Sequence, residues 1–476
     1  MSKKKRHHNN GRQKRAERKK VSLFRCLVIV ACCCGVMLCM ISIVFLLRAN
    51  QMLTVATVAE HAVGQAELQY YYVEEIEAYQ DQVGRYGGEY TQEVDFTRPL
   101  SQQNCPLTSG ITWHTYFMEN ALEQIQWEVT VQNQAREAGF SLSETEQNAV
   151  SLRLSNMEAI AEEAGISIED YLSMRYGKNV TTDLVVELEN RRMTCICYMT
   201  LMMEQYTPSE KEIEAYFQSN RRWNMLADYW AVPLDSTVED QERILADLEA
   251  SRDEEDFLSQ CAVYVEGSVN DRVAKHVDAV ASDMEDYTVA EWTLSEERQP
   301  GDITVVESYD ETADQRNLIA LYFLKARRND KPTYAFQEIL LMPHAIRLKD
   351  TEKYWGNKQS EDLLQFWENE ETFGVLAATF SSLSSGEQMG YRVAGADALS
   401  GQPYAAWLMD EERGEGDVEV FETEYGVYLI RYVGEGDADW ENNAREALQT
   451  RWWREQRESV LQTAPIRTNL FYTLIK

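Results

Sequence analysis

The sequence predicts an α+β multidomain chain with one transmembrane helix, a helical domain, two tandem α+β domains and a C-terminal helix. Three observations predict it. Residues 26–47 are 22 consecutive residues without a charge. No proline occurs between Pro106 and Pro208, and glycines and Ser-x-x-acid pairs punctuate that stretch. A sixteen-residue phrase then recurs, without a gap, 115 residues further on. At 476 residues the chain has length for about three domains. Its 44% apolar content is enough for real cores.

Charge is placed unevenly. Residues 1–25 hold eleven Lys/Arg and one Glu, leaving 35 basic and 78 acidic residues for the rest. An acidic body with a net charge of −43 repels phosphate backbones, so no nucleic-acid partner is expected. Six histidines are too few and too scattered for a multi-His metal site. No cofactor and no metal is expected, since no zincin, nucleophile-elbow, P-loop or dinucleotide motif occurs.

Twenty-two residues of helix span a hydrocarbon core of roughly 30 Å. The basic tail 1–25 is expected to stay cytoplasmic, placing the acidic remainder outside a cell membrane crossed once. A cleaved signal peptide would want a small-residue site, and Arg48-Ala49-Asn50-Gln51 is a poor one. Ile29-Val30-Ala31-Cys32 loosely resembles a lipobox. Five of the nine cysteines lie in this segment. The other four, Cys105, Cys195, Cys197 and Cys261, make no disulfide framework.

Residues 54–82 read as a short strand or loop and then a helix, and 84–110 as a Gly/Pro loop. Helices follow over about 112–138, 143–164, 167–177, 182–203 and 209–220. Gly139 and Gly165 close the first two as left-handed caps, and Ser143-x-x-Glu146 and Ser209-x-x-Glu212 open the second and fifth as capping boxes. This gives a helical domain over 54–220.

Two α+β domains, 221–330 and 331–436, come next. Strands are expected at 228–234, 303–306 and 319–324, with a helix over 238–251. The second domain repeats this with strands at 336–342, 418–421 and 427–433 and helices over 352–370 and 371–380. The recurring phrase runs from Ala290-Glu-Trp to Thr304-Val305, and again from Ala405-Ala-Trp to Glu419-Val420, with eight identities in sixteen positions. Residues 437–476 form a Trp-rich helix to about 461, broken by Pro465, and a final strand over 469–475.

The second α+β domain resembles the parvulin (PpiC/rotamase) type of peptidyl-prolyl cis-trans isomerase. Glu338-Ile-Leu-Leu341, Phe373-x-x-Leu-Ala-x-x-Phe-Ser381, Gly386-x-x-Met-Gly-Tyr391, and Gly414-Glu through Tyr425-Gly426-Val-Tyr-Leu-Ile430 carry the resemblance. The first domain keeps Asp256-Phe257-Leu258 and Pro300-Gly301-Asp302. Ala135-x-x-Ala-Gly-Phe-Ser-Leu-Ser, Gly165-Ile-Ser-x-x-Asp-Tyr-Leu172 and Ser209-x-x-Glu-Ile-x-x-Tyr216 resemble the SurA-N-like chaperone domain of SurA/PrsA-like extracytoplasmic foldases. In such foldases the C-terminal segment returns to the helical domain, so 437–476 is expected to pack there.

The resemblance implies a membrane-anchored folding factor that binds unfolded or secreted client polypeptides. X-Pro isomerisation has a barrier of ~20 kcal/mol and needs no nucleophile. A parvulin-like site supplies an apolar proline pocket and a polar cluster of two His and a Cys or Asp. Here those positions hold Glu338, Tyr428 and Leu383, with Tyr404 and Met409 at the apolar pocket positions. The implied peptide groove comprises Glu338, Phe380, Leu383, Met389, Tyr404, Met409 and Tyr428, with the catalytic histidines replaced. Isomerase activity is therefore expected to be weak or lost, with peptide binding kept. Trp292 and Trp407 are further contact candidates, with core packing as the rival reading. The alternative function is a non-catalytic envelope assembly or scaffold protein with one dedicated partner.

Overall fold

The computed structural model describes residues 54–86, 94–235, 240–284, 287–310, 315–342, 346–348, 351–353, 363, 367, 369–383, 389–424 and 426–475. The expected transmembrane segment 26–47 and basic tail 1–25 lie outside the described residues. Among the described residues no helix is long and apolar enough to cross a membrane.

The chain begins with a hairpin, β1 (Thr54–Val58) and β2 (His61–Gly64), then α1 (Gln65–Tyr86). Helices α2 (Trp113–Glu137), α3 (Glu144–Glu163), α4 (Ile168–Arg175), α5 (Thr182–Glu204) and α6 (Glu210–Ser219) follow. The caps set their limits. Ser143 accepts from the Glu146 amide at 3.3 Å while Glu146 accepts from the Ser143 amide at 2.5 Å. Ser209 and Glu212 repeat this reciprocal pairing. Gly139 and Gly165 take φ of +74° and +69°, the left-handed caps that end α2 and α3. Thr181, one residue before the predicted Thr182, caps α5. Their buried face is continuous: Leu68, Tyr70, Ala121, Ile125, Tyr171, Tyr176 and Leu188 share one core with Val55, Val58 and Val63 of the hairpin.

Two four-stranded antiparallel sheets follow. The first joins β3 (Met225–Leu234), β4 (Ala274–Ala279), β5 (Ile303–Asp310) and β6 (Gln315–Arg328) in the order β4-β3-β6-β5. It carries α7 (Gln241–Leu248), α8 (Glu254–Cys261) and α9 (Tyr287–Thr293). The second sheet contains β7 (Pro332–Leu341), β10 (Tyr391–Gly395), β11 (Val418–Glu422) and β12 (Val427–Ala438) in the order β10-β7-β12-β11. Between β7 and β10 lie a small hairpin, β8 (Ile346–Leu348) with β9 (Thr351–Lys353), and α10 (Glu370–Phe380). A short α11 (Ala405–Leu408) precedes β11.

The two sheets thus share one strand order, and the repeated phrase takes the same form in both. In the first, Gly301 donates to the Phe323 carbonyl at 2.8 Å and Phe323 donates to Asp302 at 2.9 Å. In the second, Gly416 donates to Tyr432 at 2.9 Å and Tyr432 donates to Asp417 at 2.8 Å. Arg298 lies over Trp292 and pairs with Asp302 at 3.3 Å; Arg413 lies over Trp407 and pairs with Asp417 at 3.1 Å. The shared arginine, tryptophan and aspartate therefore build the same corner twice.

The last elements are α12 (Asp439–Thr463), β13 (Ile466–Thr468) and α13 (Leu470–Ile475). Strand β13 pairs antiparallel with β1, completing the sheet β13-β1-β2. Gln126 donates to the carbonyls of Leu461 and Ala464 at 2.8 and 2.7 Å. The tail therefore packs on the helical region.

Some elements differ from expectation. The strand expected over 469–475 is a helix, because the Asn469 side chain accepts from the amides of Phe471 and Tyr472 at 2.9 and 3.1 Å and caps it. The strand lies just upstream, where β1 offers a free edge. The helix expected from 352 meets β9 at its start, and residues 354–362 lie outside the described residues. Helix α1 runs into the expected loop as far as Tyr86. Strands β4 and β10 were not expected. Both are edge strands with charged, exposed positions, which hide a period-2 pattern. Among the described residues Cys105, Cys195, Cys197 and Cys261 are buried and none is in a disulfide.

Candidate functional site

Strand β7 sets the site by alternation. Phe336, Glu338 and Leu340 face one way, and Gln337, Ile339 and Leu341 the other. The first face packs with Ala394, Leu399, Tyr404, Leu408, Tyr428, Ile430 and Tyr432; the second packs under α10, against Phe373, Leu376 and Ala377. Glu338 is thus a carboxylate in an apolar face, 1% exposed. Two donors hold it there. Tyr404 donates its hydroxyl to Oε2 at 2.9 Å, and Arg392 of β10 meets Oε1 at 3.0 Å. Burial, followed by the charge of Glu338, pushes the Tyr404 phenol well above its ordinary pKa. The Tyr404 ring lies 5.6 Å from both Phe336 and Tyr428.

The seven expected groove residues do not share one groove. Glu338, Tyr404 and Tyr428 converge in the closed interior just described, where Tyr404 is 1% exposed. Leu383 lies at the margin of that cluster. Phe380, the last residue of α10, packs on the opposite face. Met389 packs at the seam with the helical region, against Ala149, Val150, Met193, Cys197 and Val375. Met409 ends α11, half-buried, outside the apolar clusters of the described residues. Trp292 and Trp407 are half-buried at the two repeated corners, each under its arginine.

Phe380 and Leu383 have a second role. With Ala378, Thr379, Ser381 and Ser382 they form one wall of a chamber of about 490 Å³ between α10 and the helical region. Tyr79 from α1, Tyr116, Phe117 and Trp127 from α2, and Trp453 from α12 give it an aromatic side. Trp127 and Trp453 meet edge to face at 5.6 Å. Arg153 of α3 donates to the Thr379 carbonyl at 2.8 Å, which ties the two walls together.

The floor is charged. Glu74 lies within 3.1 Å of Arg153, 3.4 Å of Arg175 and 3.1 Å of Arg192, and accepts from the Tyr176 hydroxyl at 2.8 Å. Burial opposes ionisation there, but the three guanidiniums outweigh it and hold the Glu74 carboxyl far below its usual range. Arg153 also meets Glu189 at 2.7 Å, and Arg175 pairs with Glu77. Glu75, one residue along α1, stands differently. Burial pushes its pKa up to about 7, against the pull of Arg192 and Arg457. Glu128 is also pushed upward by burial, and it accepts from Tyr71 and from Gln124.

Such a space can hold a chain by apolar and ionic contact; among the described residues no cluster of His, Cys, Asp and Glu could hold a metal ion. Sequence reasoning missed the chamber because its walls come from helices far apart in the chain.

No family model and no curated relative matches the chain. Among solved structures it is similar to PrsA from Bacillus subtilis, at 12% identity over 75% of this chain and 91% of that one, TM-score 0.21. It is also similar to the foldase protein PrsA from Streptococcus pneumoniae, at 12% identity over 46% and 77% of the two chains, TM-score 0.18. A third similar structure is the foldase protein PrsA from Lactococcus lactis, at 9% identity over 58% and 78%, TM-score 0.21.

Proposed function

We propose that this chain is a membrane-anchored, extracytoplasmic protein-folding factor that holds unfolded or translocated polypeptides without covalent chemistry. The chamber between α10 and the helical region carries the reading: an aromatic wall faces a charged floor in a space of about 490 Å³. Pockets of roughly 300–1,000 Å³ take ligands of several residues' size, and aromatic side chains grip extended chains at low entropic cost. The parvulin-like phrases of the sequence, and the anchor read over 26–47, support the same function. In this reading isomerase activity is lost. Stabilising a twisted amide needs an open pocket beside a polar group. Glu338 and Tyr404 instead spend their polarity on each other and on Arg392, inside a packed interior.

The test uses the full chain in nanodiscs. A chemically denatured client diluted into buffer should scatter less light at stoichiometric chain, and Trp453→Ala should weaken the suppression. Absence of suppression at several-fold excess, for several clients, would favour the dedicated-partner alternative. Protease added outside intact cells should remove the body and leave residues 1–47; full protection would reject the proposed orientation.

A further inference from the structure

The charges around the chamber do not balance. Glu74, Glu75, Glu77, Asp81 and Glu128 face three guanidiniums, those of Arg153, Arg175 and Arg192. All three guanidiniums are engaged by Glu74, Glu77 or Glu189. Glu128 holds the Tyr71 proton and the Gln124 amide. Glu75 is left: among the described residues it has no hydrogen-bond or ion-pair partner. The charges that reach it are Glu74 on its own helix, Glu123 on α2, Arg192 on α5 and Arg457 on α12. Arg192 is spent on Glu74, and Arg457 meets Glu123 at 3.1 Å and lies over the Trp127 ring.

We infer that the chamber takes a client segment through one lysine or arginine side chain, which pairs with Glu75 while its apolar neighbours lie against Trp127, Trp453, Phe380 and Leu383. This rests on the proposed client-holding function and names the chemistry of the client. A half-buried carboxylate without a partner is costly, and a cation that reaches it removes that cost. A neutral or acidic segment gains nothing there. The net charge of −33 for the whole chain brings such segments toward the protein, but the short-range choice is made in the chamber. The raised pKa of Glu75 adds a condition: below pH 7 its carboxyl is increasingly protonated and the preference fades.

The experiment measures fluorescence anisotropy of three labelled nonapeptides against the full chain in nanodiscs. All have leucine and valine flanks; the centre is lysine, norleucine or glutamate. At pH 8 the lysine peptide should bind at least tenfold tighter than the norleucine peptide, and the glutamate peptide weakest. The lysine preference should vanish at pH 5.5, and at pH 8 in Glu75→Gln, an isosteric change. Glu411→Gln, which removes an equal charge from an exposed site, should keep it. Equal binding of lysine and norleucine peptides at pH 8 overturns this inference and leaves the client-holding function standing. Loss of preference in Glu411→Gln to the same degree also overturns it, assigning the attraction to the whole acidic surface. Binding of none of the three overturns both.

Discussion

Tyr404 donates its hydroxyl to Glu338 at 2.9 Å, from a ring and to a carboxylate that are each 1% exposed. A buried carboxylate needs every donor it has, so Tyr404→Phe should cost about 1–3 kcal/mol. Urea unfolding of the variant should show a lower midpoint at unchanged slope. A protease-coupled assay of an Ala-Pro peptide should give the uncatalysed rate with the wild-type chain and with Tyr404→Phe alike. Turnover by the wild type that Tyr404→Phe abolished would mean the pair is catalytic rather than structural.

Gly390 stands just before β10 opposite Glu338, whose amide donates to its carbonyl at 2.9 Å, and has φ of +71°. A Cβ there would lie 2.7 Å from the Ala377 Cβ and 2.7 Å from the Glu338 carbonyl. Both obstacles are rigid, so the sheet and α10 must part. Gly390→Ala should therefore destabilise by about 2–4 kcal/mol, adding backbone strain to a steric clash. A melting temperature within a degree of wild type would show that the turn yields without cost.

Gln126 fastens the tail by donating to Leu461 and Ala464. Gln126→Leu keeps the bulk but strips a buried carbonyl and a half-buried one of this donor, at about 1–3 kcal/mol. Hydrogen exchange should locate the effect: amides of β13 and β1 should lose protection before those of the two four-stranded sheets. Uniform loss across the molecule would contradict a local clasp.

What could be read from the sequence was local. Ser143, Ser209, Gly139 and Gly165 announce helix ends because a cap depends on residues three or four apart. The repeated Trp-x-x-x-Glu-Glu-Arg phrase announced a shared corner, since Trp292, Arg298 and Asp302 are close in sequence, as are Trp407, Arg413 and Asp417. Asn469 was misread because its cap competes with a β-rich composition downstream, and only β1, some 400 residues earlier, decides where the strand falls. The expected groove fared similarly. Phe380 and Leu383 reach a cavity, but through a wall supplied by α1, α2 and α12, which no spacing in the sequence announces. Glu338 and Tyr404 were placed in one groove by resemblance; that they close on each other and on Arg392 depends on strand β10, which the pattern did not reveal.

Glu75 makes stability depend on pH in a calculable direction. Its pKa is about 7 in the folded chain, raised from an ordinary 4.5 by burial. The folded state therefore holds a proton between pH 4.5 and 7 that the unfolded state has released, and stability from this group falls as pH rises through that window. Below 4.5 both states are protonated and nothing is lost; above 7 the loss is complete, at about 1–3 kcal/mol for a partly buried group. Glu75→Gln removes the charge without changing the shape. Its melting temperature should match wild type at pH 4.5 and exceed it at pH 8, with the gap opening between. A variant less stable than wild type at pH 8 would mean that a partner already satisfies the carboxylate, and the chamber would then have no counter-charge to offer a cationic chain.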